Sequence, residues 1–260
     1  MKKMMVRMAC GLCNRLRTIA PALWLCRQLE IPLAIDWRAY SSCPEDDMSK
    51  LFEIPDGMTL ERADVWINRG FYATTRRFEI DDVLYLQGFY GMGGPRAYKC
   101  FCVDGPSYTM LQRGTIANVR ALQPVAAIRE RIEAVKASWP EGPIVGVHVR
   151  RTDFSQLKGK HTAADKRLVT EMNKDSPDTN YFVASDNPGT VSMLRGFFGG
   201  RIHTYTRPWL DKGTRKTTMD DAVVDLYALG ATTRIIGVQA SSFSKYAAWL
   251  GGAPVTYLRT

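Results

Sequence analysis

The sequence predicts an α/β fold, and three observations predict it. A strand, a tight turn, a helix and a second strand follow one another between Met4 and Trp37. Short apolar strands alternate with helical patterns from Ile144 to the end of the chain. Polar and charged residues gather directly after several of those strands, where open parallel sheets bind their ligands.

The elements follow in order. Met4–Ala9 reads as the first strand. Gly11–Arg15 is a turn feeding a helix on which Leu16, Ile19, Ala20 and Leu23 recur at helical spacing, with Arg17, Arg27 and Gln28 facing out. Pro32–Trp37 reads as a second, buried strand, and a strand–turn–helix–strand unit favours parallel pairing. Between residues 39 and 120 the pattern weakens. Val65–Asn68 and Val83–Leu86 read as strands there, and the glycine-rich Gly88–Pro95 as a loop. Pro124 is placed to open a helix, because its missing N–H costs nothing in a first turn. Val125, Ile128, Ile132 and Val135 share one face of that helix, and Ser138–Pro143 ends it. A domain boundary near Leu122 follows, giving an N-terminal α/β domain over 1–122 and a C-terminal domain over 123–260.

The second half alternates cleanly. Ile144–Val149, Tyr181–Ala184, Arg201–Tyr205, Arg234–Val238 and Val255–Leu258 read as strands. Helical patterns fall around 163–172, 189–198, 220–229 and 244–250. That is the signature of a doubly wound parallel sheet with helices on both faces. Residues 206–219 read as a polar loop with four basic residues, long enough to be a lid.

Composition narrows the partners. At 45% hydrophobic and 23% charged residues the chain is an ordinary globular one, which excludes disorder. An excess of 35 Lys+Arg over 26 Asp+Glu leaves a formal charge of +9, which favours nucleic acid, an acidic membrane surface or a phosphorylated small molecule. The basic residues are dispersed, with no Lys/Arg run longer than two, so a nucleic-acid partner is not expected. Arg7 interrupts any signal-peptide core, and no stretch reaches the roughly 18 apolar residues of a spanning helix. The expectation is a cytoplasmic protein starting at Met1, at most peripheral to a membrane.

Metal and redox chemistry find little support. Cys10-Gly-Leu-Cys13 has the C-x-x-C form, but no second pair follows and Cys100-Phe-Cys102 has the wrong spacing. Cys26 and Cys43 stand alone, so buried free thiols are expected. His148, His161 and His203 make no metal-ligand spacing, and Asp-x-Asp is absent. No metal and no cofactor are expected.

The candidate site residues lie at strand exits. His148-Val-Arg150-Arg151-Thr-Asp153 follows an unbroken apolar strand. With period two, His148 and Arg150 project to one side. Imidazole and guanidinium together suit an anion, and arginine can hold two phosphate oxygens at once. Asp153 either orients an arginine or accepts from a sugar hydroxyl. A purely structural alternative makes Arg151 and Asp153 an ion pair and His148 a satisfied core histidine. Asp186 follows the next strand and could be only a turn and helix cap. Ser241, Ser242 and Ser244 open an apolar helix, as caps or as a phosphate cradle. Asp225 lies on an apolar face and needs a partner if buried. Gly11 permits close backbone approach, and Asn14 and Arg15 open a helix where anions are welcome. Dinucleotide and P-loop fingerprints are absent. A bound diphosphate would have to be neutralised by arginines and helix N-termini.

Five motifs occur in an informative order: Gly11-Leu-Cys-Asn-Arg-Leu-Arg17, Leu33-Ala-Ile-Asp-Trp-Arg38, the His148–Asp153 run, Phe182-Val-Ala-Ser-Asp186, and Asp225 with Ser241-Ser242. This order resembles the fucosyltransferase superfamily with the H-x-R-R-x-D motif, which holds the α1,6-fucosyltransferases, the rhizobial nodulation enzymes among them, and the protein O-fucosyltransferases. The resemblance implies a GT-B-like fold, two Rossmann-like domains with parallel sheets facing a central cleft. It implies an inverting, metal-independent glycosyltransferase moving L-fucose from GDP-fucose to a hydroxyl of a glycan or glycoconjugate.

Carried over by position, Arg150 stabilises the β-phosphate and His148 contacts the diphosphate, with Arg151 beside them. Asp186 and Asp225 hold the guanine or ribose region, and Ser241, Ser242 and Ser244 the phosphates. Gly11, Asn14 and Arg15 approach the donor, and Asp36 and Trp37 fall on the acceptor side. Independently of the resemblance, the chemistry calls for a carboxylate to take the acceptor proton, with Asp36 and Asp153 as the candidates. The α1,6 enzymes carry a lysine and a glutamate just after the motif, where this chain has Phe154 and Leu157-Lys158, so no base is carried over. Alternatives are another GDP- or UDP-sugar donor, or a non-catalytic protein that binds nucleotide sugars or glycans.

Overall fold

The computed structural model describes residues 2–8, 10–63, 76–80, 82–88, 108–151, 161–210, 216–238 and 241–258. They form two compact units, Met1–Val125 and Ala126–Thr260.

The first unit contains β1 (Lys3–Met8), α1 (Leu12–Gln28), β2 (Leu33–Asp36), β3 (Met58–Leu60), β4 (Arg76–Ile80), β5 (Val83–Gly88) and α2 (Tyr108–Ala121). Its sheet runs β3-β2-β1-β5-β4, parallel except for the β4–β5 pair. All four residues of β2 are buried, as a strand covered on both faces requires. On α1 the predicted apolar stripe is buried, and Arg27 and Gln28 are exposed. Arg17 is half-buried rather than facing out. Gly114 lets α2 lie against α1, since a Cβ there would sit 2.2 Å from the Trp24 ring.

Sequence patterning did not reveal β3, β4 or α2. The predicted strand at Val65–Asn68 and most of the Gly88–Pro95 loop lie outside the described residues. Pro124 does not open a helix. It forms an isolated bridge with Phe52, while Glu53 and Val125 exchange backbone hydrogen bonds with Gln123 and Leu51. That pairing holds the segment extended until Ala126.

The second unit contains α3 (Ala126–Ala137), β6 (Ile144–Val149), α4 (His161–Met172), β7 (Asn180–Ser185), α5 (Pro188–Phe198), β8 (Ile202–His203), α6 (Met219–Gly230), β9 (Arg234–Val238), α7 (Ser242–Gly251) and β10 (Val255–Leu258). The sheet order is β10-β9-β6-β7-β8, and every pair is parallel. Val145, Val147 and Val149 pack with Leu168 and Met172 of α4 and with Val191, Leu194 and Phe198 of α5. On the other face a Cβ at Gly146 would meet Leu229 of α6 at 2.7 Å, so the helix rests directly on the strand. Helices therefore cover both faces, as the sequence predicts. Strand β8 is shorter than the predicted 201–205, because a 3₁₀ turn takes up Gly199–Arg201. At their C-terminal ends α6 and α7 touch backbone to backbone: a Cβ on Gly251 would lie 1.7 Å from the Gly230 carbonyl oxygen. No helix among the described residues is long and apolar enough to cross a membrane.

Candidate functional site

In the second unit the polar residues converge on the carboxyl ends of β6, β7 and β9. His148 is 7% exposed. Its Nδ1 lies 2.8 Å from Ser244 Oγ, and its ring stacks on Phe243 at 4.7 Å and 19°. Arg150, half-buried, follows directly at the strand exit.

Arg151 ties neighbouring strand ends together. Its backbone N–H donates to Asp186 Oδ1 at 2.8 Å. Its guanidinium meets Asp165 on α4 and Thr190 Oγ1 on α5, the latter at 3.4 Å. Burial lowers its pKa, partly countered by Asp186. The expected partner, Asp153, lies outside the described residues. Arg151 is thus committed to protein groups rather than presented to a ligand.

Asp186 is not a helix cap. Asn187 caps α5, accepting from Thr190 N–H at 3.0 Å, which leaves Asp186 half-buried at the β7 exit. Ser241 is the N-cap of α7, accepting from Phe243 N–H at 3.3 Å, and Ser242 is half-buried beside it. Ser244 is 0% exposed, so it serves His148 rather than touching a ligand.

Asp225 finds its partner in a residue that sequence patterning passed over. Arg207 Nη2 lies 2.7 Å from Asp225 Oδ2, with side-chain exposures of 1% and 7%. Arg207 also donates to the carbonyl oxygens of Ser185 (3.2 Å) and Asp221 (3.4 Å), and it lies over the rings of Tyr205 and Trp209. Arg207, at the start of the predicted polar loop, is therefore buried between exposed Thr206 and Pro208, and Asp225 balances a buried cation rather than facing solvent. The signal was present: an arginine flanked by aromatics, Tyr205-Thr-Arg-Pro-Trp209. From α3, Arg131 reaches the same cluster, 2.6 Å from Asp221 and 2.8 Å from the Tyr205 hydroxyl.

In the first unit the informative residues gather at the exits of β1 and β2. Gly11 is the N-cap of α1 and provides no side-chain cap. Asn14 is half-buried in the first turn. Arg15 is 1% exposed, donates from Nε to the Cys10 carbonyl at 2.8 Å, and lies over Trp37 at 4.5 Å. Its Nη2 has no hydrogen-bond partner among the described residues.

Asp36 holds three arginines. Arg38 Nε donates to both oxygens, at 2.8 and 3.0 Å, and Arg7 and Arg62 lie 3.5 and 3.7 Å away. The Ala63 N–H adds a bond at 3.2 Å, and the side chain has no exposure. A carboxylate enclosed in this way is an ion-pair hub, which corrects its expected part as a base. Trp37, 4% exposed, donates from Nε1 to the Glu45 carbonyl at 2.9 Å. Beside it a cavity of about 480 Å³ is lined by Trp37, Asp47, Ser49, Lys50 and Arg62 among others.

Cys10, Cys13, Cys26 and Cys43 are buried and in the thiol form, and burial pushes the Cys10 and Cys26 thiols up to about 12. Cys100 and Cys102 lie outside the described residues. No cluster of three or more His, Cys, Asp or Glu able to hold a metal occurs among the described residues.

No protein-family model and no curated protein matches the chain. Solved structures do. The fucosyltransferase NodZ from Bradyrhizobium is similar with a TM-score of 0.64 and 17% identity, covering 99% of this chain and 96% of that one. NodZ α-1,6-fucosyltransferase soaked with GDP-fucose gives 0.62 and 18%, over 99% and 95%. A mutant of Arabidopsis thaliana FUT1 in complex with GDP gives 0.60 and 14%, over 98% and 70%. The chain has the fold of these GT-B-like proteins.

Proposed function

We propose that the chain is a fucosyltransferase of the H-x-R-R-x-D superfamily, moving L-fucose from GDP-fucose to a hydroxyl of a glycan or glycoconjugate with inversion and without a metal. The observation that carries this reading is the fold likeness, along 99% of the chain, to a fucosyltransferase soaked with GDP-fucose.

The chemistry fits the residues. As the donor C1–O bond breaks, negative charge grows on the leaving diphosphate, and the acceptor hydroxyl attacks from the opposite side. Arg150 stabilises that charge. Ser241, Ser242 and the N-terminal amides of α7 supply further donors for phosphate oxygens. His148 adds a ring N–H, and Asp186 accepts from the nucleoside. Arg151 and Asp225 act through the scaffold, holding strand ends and Arg207. In the first unit, Gly11, Asn14 and Arg15 form a second turn suited to an anionic group of a substrate, and the cavity beside Trp37 suits the acceptor. With Asp36 enclosed, Asp153 is the proposed base.

A thermal-shift panel of GDP, GDP-fucose, other GDP-sugars and UDP-sugars, with and without EDTA, tests the reading. A ligand at about 100 times its Kd adds about 2.7 kcal/mol to the folded state. Stabilisation specific to GDP compounds and insensitive to EDTA is expected, together with fucosyl transfer or donor hydrolysis. Arg150→Ala should remove turnover while the protein stays folded, since one such donor is worth on the order of a hundred- to a thousandfold in rate. Near-normal turnover in that variant contradicts the role. Stabilisation by UDP-sugars alone moves the donor, and GDP binding without turnover indicates a non-catalytic binding protein.

A further inference from the structure

Ser244 is the third residue of α7 and is fully buried, with its Oγ 2.8 Å from His148 Nδ1. Two features put the hydroxyl there. Gly237 on β9 has no side chain, and a Cβ at that position would lie 2.5 Å from the Ser244 oxygen. Phe243, the residue before, lies flat against the imidazole. The ring is thus held on a face by an aromatic and at one edge by a hydroxyl.

The hydroxyl also decides where the ring proton sits. A buried O–H left without an acceptor costs roughly 1–3 kcal/mol. Among the described residues, His148 Nδ1 is the acceptor within reach of Ser244. The hydroxyl therefore donates to Nδ1, and the neutral ring carries its proton on Nε2, because the partner of one nitrogen fixes the state of the other.

We propose that Ser244 is a positioning residue that locks neutral His148 in the Nε2–H form, so that the imidazole offers a hydrogen-bond donor to an anionic oxygen of the bound donor. The last step rests on the placing of His148 at the diphosphate; the tautomer does not.

Imidazole ¹⁵N NMR on the full chain at pH 8 separates the two. The chain has three histidines, so His148→Gln assigns the signal. The wild type should show His148 with bare Nδ1 and protonated Nε2. Ser244→Ala is expected to fold, since alanine is smaller and favours a helix, and its His148 signals should move toward a mixture of tautomers. Gly237→Ala keeps the serine but displaces its hydroxyl, and should shift the ring signals the same way. A protonated Nδ1 in the wild type, or unchanged ring signals in Ser244→Ala, overturns the assignment. In turnover, Ser244→Ala should raise the donor KM by the inverse of the Nε2–H fraction that remains, about twofold for an even mixture, with little change in kcat. Shifted ring signals with an unchanged donor KM would overturn the diphosphate contact of His148 and leave the tautomer standing.

Discussion

Replacing Asp225 by alanine strips the counter-charge from a guanidinium that water does not reach. Arg207 is 1% exposed at its side chain, and the pair is 2.7 Å apart. Removing one member of a buried pair typically costs about 3–5 kcal/mol, because the remaining charge is left uncompensated. Arg207 keeps two carbonyl acceptors and the Tyr205 and Trp209 rings, which soften the loss. The lower end, about 3 kcal/mol, is therefore expected. At about 2–4 °C per kcal/mol for a chain of this size, Tm should fall by roughly 6–12 °C. Calorimetry on Asp225→Ala, Arg207→Met and the Asp225→Ala/Arg207→Met double variant closes the cycle. The double variant should lie nearer the wild type than Asp225→Ala does, since it buries no lone charge. A Tm shift under about 2 °C in Asp225→Ala, or strict additivity in the double variant, would refute the reasoning.

Three further outcomes are expected. Gly251→Ala drives a Cβ to 1.7 Å from the Gly230 carbonyl oxygen, and backbone cannot swing aside as a flexible side chain does. Urea denaturation should show a loss of about 3 kcal/mol or more. Burial, and then Arg195, lowers the His203 pKa below its ordinary 6.5. Below pH 6.5 the unfolded chain takes up a proton that the folded one resists, so stability should fall with pH until His203 itself titrates. His203→Gln should flatten that limb of a Tm–pH profile, and an unaltered limb assigns the slope elsewhere. The Cys10 and Cys26 thiols, buried and pushed up to about 12, should resist iodoacetamide at pH 8 in the native protein and react once it is denatured. Rapid native labelling of either would contradict their burial.

The sequence made the second unit legible because its strands are parallel and covered on both faces. Such strands read as unbroken apolar runs, and Ile144–Val149 and Arg234–Val238 match the structure residue for residue. In the first unit, β3 spans three residues, of which only Met58 is buried, so no periodicity could mark it. Pro124 misled because a long-range backbone pairing with the segment around Phe52 overrode a local preference. At the candidate site, the convergence of His148, Asp186 and Ser241 on strand exits was readable from order alone. What each polar group binds was not. Asp36 and Asp225 look alike in sequence as carboxylates near apolar runs, yet one gathers Arg7, Arg38 and Arg62 and the other balances the distant Arg207. Those partners come from loops and other strands, and sequence spacing carries no trace of them.

In both sheets the strand leading into the informative turn is the middle one, β1 in the first and β6 in the second, with a hydrogen-bonded neighbour on either side. Amides in that position open only when most of their unit opens. In deuterium the exits carrying Arg15 and Arg150 should hang from the slowest-exchanging backbone of the molecule. Any adaptation to a new sugar would then fall to segments further from these two anchors, and the charge-bearing turns would be the parts that change least.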